Sequence, residues 1–239
     1  MKITDRIKKA ISVRLSDEKK TALKWAFYKI TNLFEIHREI GGRGNRIRSE
    51  GAFLRNVSFS IAGDNNQVEV LPGTTLMNSR IQMVGNRHRL IIGEESYLTG
   101  VHFYFEDHDC RIHIDAGVII YAGAEISAAE PGRRVTIGKK CLLATGVDIR
   151  TTDSHAIVHM DSKAIINPGA DVIIEDHVWL GKNCTVLKGV RVGSESIIGI
   201  GSVVTRNIPG NCVAAGIPAK VIKENVTWMW EREPKLQAK

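Results

Sequence analysis

The chain has 239 residues, 43% apolar and 25% charged, which leaves room for one large domain or two small ones and excludes disorder over the whole length. No window approaches the roughly 18 consecutive apolar residues of a membrane span, and the first residues hold no apolar core of leader length, so a cytoplasmic location is expected. The net charge of +7 belongs to residues 1–50, with 13 Lys and Arg against 6 Asp and Glu, whereas residues 51–239 balance at 20 and 20; the basic main domain with stacking aromatics that nucleic-acid binding requires is not visible.

Residues 16–38 read as an amphipathic helix. Ser16 is placed to cap it, Asp17 and Glu18 suit its first turn, and Leu23, Ala26, Phe27, Ile30 and Phe34 share one face. Residues 3–14 read as a shorter helix. A helical cap over 1–46, packed on the remainder of the chain, is the first expectation. The basic excess and Trp25 motivate a second: peripheral contact with an anionic membrane surface.

From residue 47 onward the pattern changes to a repeat. Aliphatic residues recur every six positions at Ile174, Leu180, Val186, Val192, Ile198 and Val204, and Gly181, Gly193 and Gly199 directly follow three of them. Four positions after the aliphatic residue stand Val178, Cys184, Val190, Ser196 and Ser202, all small or β-branched. Upstream the same register appears as Ile137, Leu143 and Ile149, as Ile114, Ile120 and Ile126, as Ile92 and Leu98, as Val70 and Leu76, and loosely as Ile47, Phe53 and Phe59. Triplets therefore start at 47, 70, 92, 114, 137, 174 and 192. A unit of three hexapeptides explains the final spacing of 18, and polar turn-like extras such as Gly63-Asp64-Asn65-Asn66 and Glu130-Pro131-Gly132 explain the upstream spacings of 22 and 23. The long spacing of 37 marks an insertion over 150–171.

A helix turns about 600° in six residues, so it cannot keep every sixth residue on one face. Short strands with a corner every six residues can. The fold expected is a mainly β, three-sided parallel solenoid over 47–208, with aliphatic columns as its core and a closing segment and tail over 209–239. Cys110, Cys141, Cys184 and Cys212 form no CxxC, and Cys141 and Cys184 fall at interior positions, so reduced buried thiols are expected.

This hexapeptide register, the segment Thr151-Thr152-Asp153-Ser154-His155, Trp179 placed 24 residues after that histidine, and the run Gly216-Ile217-Pro218-Ala219-Lys220 resemble the hexapeptide-repeat acyltransferase family, and within it the bacterial capsular or polysialic-type sugar O-acetyltransferases. The resemblance covers roughly residues 47–222. It implies a left-handed parallel β-helix; general crossover rules favour the opposite hand, and spacing alone does not reverse them. It also implies acetyl-CoA as co-substrate with no metal, a sugar or polysaccharide acceptor, and a homotrimer with sites between subunits.

The site residues follow from the same resemblance. His155, at the start of the insertion, is the general base that removes the acceptor's hydroxyl proton, a task suited to imidazole near neutrality. Asp153 is a candidate orienter of its ring. Trp179 walls the acetyl and pantetheine end. Lys182 flanks the pantetheine arm, Ile200 offers backbone groups to its amides, Thr205 and Arg206 lie beside the adenine and ribose, and Lys220 and Lys223 meet the phosphates. His159 reads as a loop residue. Trp228 and Trp230 read as packing back on the solenoid. A sugar-nucleotide N-acetyltransferase would share fold, coenzyme and base, but that branch commonly carries a Rossmann-like domain in front, and no glycine-rich strand-turn-helix is read here. A γ-class carbonic anhydrase would need three facing histidines, and the pairing is missing. A non-catalytic scaffold would not require His155 and Trp179.

Overall fold

The computed structural model describes residues 36–231. The helix expected over 3–14 and nearly all of that over 16–38 lie outside the described residues. The end of the latter is not helical: Ile36–Gly41 is a strand parallel to Val57–Ala62. Its alternate residues Ile36, Arg38 and Ile40 fall opposite the buried Val57, Phe59 and Ile61. The solenoid thus begins ahead of residue 47, because the open edge of the first sheet accepts one more strand.

Among the described residues, strands sort into three sheets, A, B and C, of eight, seven and nine strands. Up to Val203–Val204, successive strands enter A, B and C in turn, so each circuit is one coil of a three-sided prism. Sheet A stacks Phe59, Ile81, Phe103, Ile126, Ile149, Val186 and Val204 in register. Sheet B stacks Val70, Ile92, Ile114, Ile137, Ile174 and Val192. Sheet C stacks Leu54, Leu76, Leu98, Ile120, Leu143, Leu180, Ile198 and Ala214. Every one of these side chains is buried, so the expected columns are the core. The first coil departs from the expected register. Leu54 points inward while Phe53 lies opposite Thr75, and Ile47 pairs with Val68 rather than Val70. Adjacent apolar residues at 52–54 leave spacing alone unable to pick the inward one.

Each corner carries a left-handed residue. Asn65, Arg87 and Asp109 stand between sheets A and B, Glu95, Lys140, His177 and Glu195 between B and C, and Asn56, Asn78 and Asn183 between C and A. The upstream extras have a structural use at the A–B corner. Asn66, wholly buried, donates to the Gly85 carbonyl at 3.0 Å and accepts from the His88 amide at 2.9 Å. His88, also buried, accepts at Nδ1 from the Cys110 amide at 3.3 Å and meets the Val84 carbonyl through Nε2 at 3.2 Å. Burial lowers its pKa, which keeps the ring neutral and able to accept. Gly85 is required by the close coil spacing, since a Cβ there would lie 1.7 Å from the Asp107 carbonyl oxygen, at a φ of 120°.

The four cysteines are unpaired and buried. Cys212–Gly216 extends sheet C, and Ala219–Glu224 turns back antiparallel upon it to close the end.

Ile120 sits mid-column between Leu98 and Leu143. Ile120→Ala should cost about 2–5 kcal/mol in urea unfolding. Ile200→Ala, at a corner position that is 73% exposed, should stay within about 0.5 kcal/mol. Equal losses at the two positions would contradict the column assignment.

Candidate active site

The chain leaves the solenoid after Asp148–Arg150 of sheet A and rejoins at Val172–Ile174 of sheet B. The excursion is braced at its root by side chains from the neighbouring coils, far away in sequence. Thr151 Oγ1 donates to the Ala129 carbonyl at 2.9 Å and accepts from the Ala129 amide at 3.0 Å, continuing the ladder in side-chain form. Glu130 holds both ends of the excursion: Thr152 Oγ1 donates to one carboxylate oxygen at 2.6 Å, and the Gly169 amide to the other at 2.5 Å. Lys188 Nζ donates to Asp153 Oδ2 at 2.5 Å and to the Asn167 carbonyl at 2.6 Å. Asn167 Nδ2 donates to Asp153 at 2.8 Å and to the His155 carbonyl at 2.9 Å, while its Oδ1 accepts from the Ile157 amide at 2.6 Å. Beyond this root a short antiparallel arm, with Val158 opposite Ile165, carries the exposed Ile157, Met160, Ile165 and Ile166 outward.

His155 is exposed and lines a cleft of about 300 Å³ with Glu106, Asp107, Glu130, Thr152 and Asn167. Its ring makes no hydrogen bond among the described residues. Asp153 does not orient that ring within one chain, because its carboxylate is engaged by Lys188 and Asn167, which also hold its pKa down. Its reach to His155 is indirect, through Asn167 and the His155 carbonyl. His159 is a loop residue: its Nδ1 accepts from the amides of Asp161 and Ser162.

Trp179 stands on sheet C, the prism face opposite the A–B corner that carries His155. Outward residues run from it in register: Trp179 beside Ile197, Ile197 beside Val213, Val213 beside Lys223. Lys220 lies opposite Ala215 on the same closing strand. Lys182 and Ile200 occupy successive coils of the adjoining C–A corner, where the Gly201 amide donates to the Lys182 carbonyl at 2.8 Å. Five of the expected coenzyme residues therefore share one side of the prism. Thr205 and Arg206 do not join them. They follow Val203–Val204 of sheet A and lie at the A–B corner, two coils below the exit of the His155 excursion.

The tail supplies what sequence reasoning missed behind Trp179. Trp228 is buried, stacks on His177 at 4.4 Å and donates from Nε1 to the His177 carbonyl at 2.8 Å. His177 Nδ1 meets Glu195 at 2.7 Å, and Thr227 donates to the same carboxylate at 2.5 Å. Trp179 lies 6.0 Å from Trp228, and Trp230 lies edge-on to Trp228 at 5.3 Å. Trp228 thus packs on the solenoid as expected, and it backs the indole of Trp179.

The carboxylates of Glu130 and Asp153 both have depressed pKa values, from the Thr152 and Lys188 hydrogen bonds first. A depressed folded pKa contributes stability that is complete above the unfolded value and is lost as pH falls through the folded one. The excursion should therefore resist limited proteolysis unchanged from neutral pH down to the ordinary carboxylate range, and loosen only below it. Lys188→Ala should expose it at neutral pH. Loosening between about pH 8 and 6, above the carboxylate range, would contradict the brace.

Comparison with known proteins bears on the fold and the family. The family described as the hexapeptide repeat of succinyl-transferase matches residues 171–206. A polysialic acid O-acetyltransferase of Neisseria meningitidis is 38% identical over 189 residues, covering 78% of this chain and 86% of that protein. The crystal structure of the polysialic acid O-acetyltransferase OatWY superposes with a TM-score of 0.79 at 33% identity, over 84% of this chain and 94% of that one. That of the polySia specific acetyltransferase NeuO gives 0.77 at 30%, over 84% and 92%. The solenoid is accordingly the left-handed parallel β-helix, and the chain belongs to the hexapeptide-repeat acyltransferase family, among relatives that are O-acetyltransferases.

Proposed function

We propose that the protein transfers an acetyl group from acetyl-CoA to a sugar hydroxyl of a bacterial surface polysaccharide, such as a capsule, or of its precursor, with His155 as general base. The observation that carries this reading is the braced excursion: it presents an exposed imidazole, without a hydrogen-bond partner among the described residues, at the rim of a cleft. The relative from Neisseria meningitidis, by its name, acetylates polysialic acid.

In this reading His155 takes the acceptor's hydroxyl proton as the oxygen attacks the thioester carbonyl. The tetrahedral centre then collapses with loss of the thiolate, and the imidazolium returns the proton to sulfur. Direct transfer is favoured over an acyl-enzyme by the state of the cysteines. Burial pushes the Cys110 thiol up to about 11 and those of Cys141 and Cys184 up to about 12, so none supplies a thiolate near neutral pH. The coenzyme fits the side of the prism bearing Trp179. Its pantetheine arm would follow Trp179, Lys182 and Ile200, and its phosphates would meet Lys220 and Lys223, neither of which pairs with an acid among the described residues.

His155 and Trp179 lie on opposite sides of one prism, so the reading requires two chains. A homotrimer of cyclic symmetry repeats the same composite site three times. Two features support it. The outward column of sheet C is largely apolar, with Phe53, Tyr97, Ile119, Leu142, Trp179, Ile197 and Val213. The excursion's arm ends in apolar side chains that the described residues leave exposed. Thr205 and Arg206 would then reach the adenine end from the chain that supplies His155, below its excursion.

His155→Ala should lower turnover roughly 10²–10⁴-fold, read as thiol release from acetyl-CoA with a sugar acceptor, and leave acetyl-CoA affinity nearly unchanged. Full activity in the variant would remove His155 as the base.

A further inference from the structure

We infer that the outer face of sheet B is a track for an acidic polysaccharide bearing carboxylates, which it leads to the His155 cleft; this rests on the acetyltransferase reading above. The register of sheet B brings together arginines that are far apart in sequence. Arg46 stands beside Gln67, Gln67 beside Arg89, Arg89 beside Arg111, and Arg111 beside Arg134. Each is the first residue of its strand and exposed. Their strands lie about 4.8 Å apart, so Arg89, Arg111 and Arg134 form an unbroken cationic rail.

Like charges directly opposite on neighbouring strands destabilise a sheet, and here little offsets them. Arg89 meets Glu69 at 3.3 Å. Arg46, Arg111 and Arg134 make no side-chain ion pair among the described residues. The outward neighbours two positions along are Ile91, His113 and Thr136, none of them acidic. Residues 51–239 carry equal numbers of acids and bases, so the rail is a local segregation of charge. Sheet A, by contrast, mixes signs along its outward column, where Arg80 is followed by His102, Glu125 and Asp148, with Asp148 paired to Arg150 and Glu125 to His102. Sheet C is the apolar face. Among the described residues only sheet B sets guanidinium groups in a row, Arg89 shared with Glu69 and Arg111 and Arg134 free of ion pairs, and their planar forks suit carboxylates.

The rail also ends in the right place. Arg134 follows Arg133, whose guanidinium reaches the Gly169 carbonyl at 3.5 Å, at the root of the His155 excursion. The Arg134 amide donates to Asp171, one residue before the chain rejoins sheet B. Around the corner the cleft itself is lined by Glu106, Asp107 and Glu130. An anionic chain would keep its carboxylates on the arginines, away from these acids, and offer the cleft a neutral hydroxyl. That division selects which atom of each sugar approaches His155.

The test is direct binding without acetyl-CoA, so that its result stands apart from the acetyltransferase reading. The probes are a linear α2,8-linked sialic acid polymer, dextran of similar length as the neutral control, and single-stranded DNA as an anion of other chemistry. The wild-type protein should bind the sialic acid polymer, with affinity falling as salt rises, and bind the other two more weakly. Arg111→Gln with Arg134→Gln should weaken binding of the polymer roughly tenfold and flatten its salt dependence, while thermal unfolding stays unchanged. Arg111→Lys with Arg134→Lys should retain most of the salt dependence. Affinity no better than for dextran, equal affinity for DNA, or a Gln variant that binds as the wild type would each overturn the track. Failure of thiol release with every sugar acceptor would instead sink the acetyltransferase reading, with polymer binding still deciding the track.

Discussion

Everything in this protein depends on one packing constraint: a side chain at each inward position must rest on its counterpart one coil above and one coil below. Phe59, Ile81, Phe103 and Ile126 do so in sheet A, as Leu98, Ile120, Leu143 and Leu180 do in sheet C. Parallel pairing keeps those columns straight, and left-handed residues turn each corner at the same height in successive coils. A prism built this way is rigid and has little inside but aliphatic side chains. Chemistry must be placed on its faces, its corners and its one long excursion.

The consequence is a division of labour among the three sides. The A–B corner absorbs insertions, first as the Asn66–His88 ladder and then as the excursion that carries His155. Sheet C turns an apolar column outward and holds Trp179, with the tail packed behind it through Trp228. Sheet B turns arginines outward. The corner bearing His155 is opposite the face bearing Trp179, so the proposed site draws on two chains. Association is therefore part of the proposed catalytic design.

The columns are readable from the sequence because inward positions admit only aliphatic or small residues, so the six-residue period survives in the letters from Ile92 to Val204. It blurs where two apolar residues adjoin, as at Phe53 and Leu54. The excursion is legible as an interruption of that period, and His155 as its opening residue. Its brace is not. Glu130, Lys188 and Asn167 act on partners 10 to 39 residues away, and nothing local distinguishes them from ordinary turn or surface residues. Asp153 reads as a ring orienter for the same reason: proximity in sequence cannot show that Lys188 reaches it first. The family resemblance groups Thr205 and Arg206 with Trp179 as coenzyme residues, although residues share a face here only when they differ by whole coils, as Trp179 and Ile197 do. The rail of arginines obeys that same rule.

In the proposed enzyme each site is assembled from two chains, and subunit mixing tests that arrangement most directly. His155→Ala and Trp179→Ala proteins, each inactive alone, would be unfolded together and refolded as mixed trimers. At random mixing roughly a quarter of interfaces would join an intact His155 to an intact Trp179 surface. Thiol release should then recover to about that fraction of wild type. No recovery from verified mixed trimers, or full activity from a monomer, would contradict the shared site.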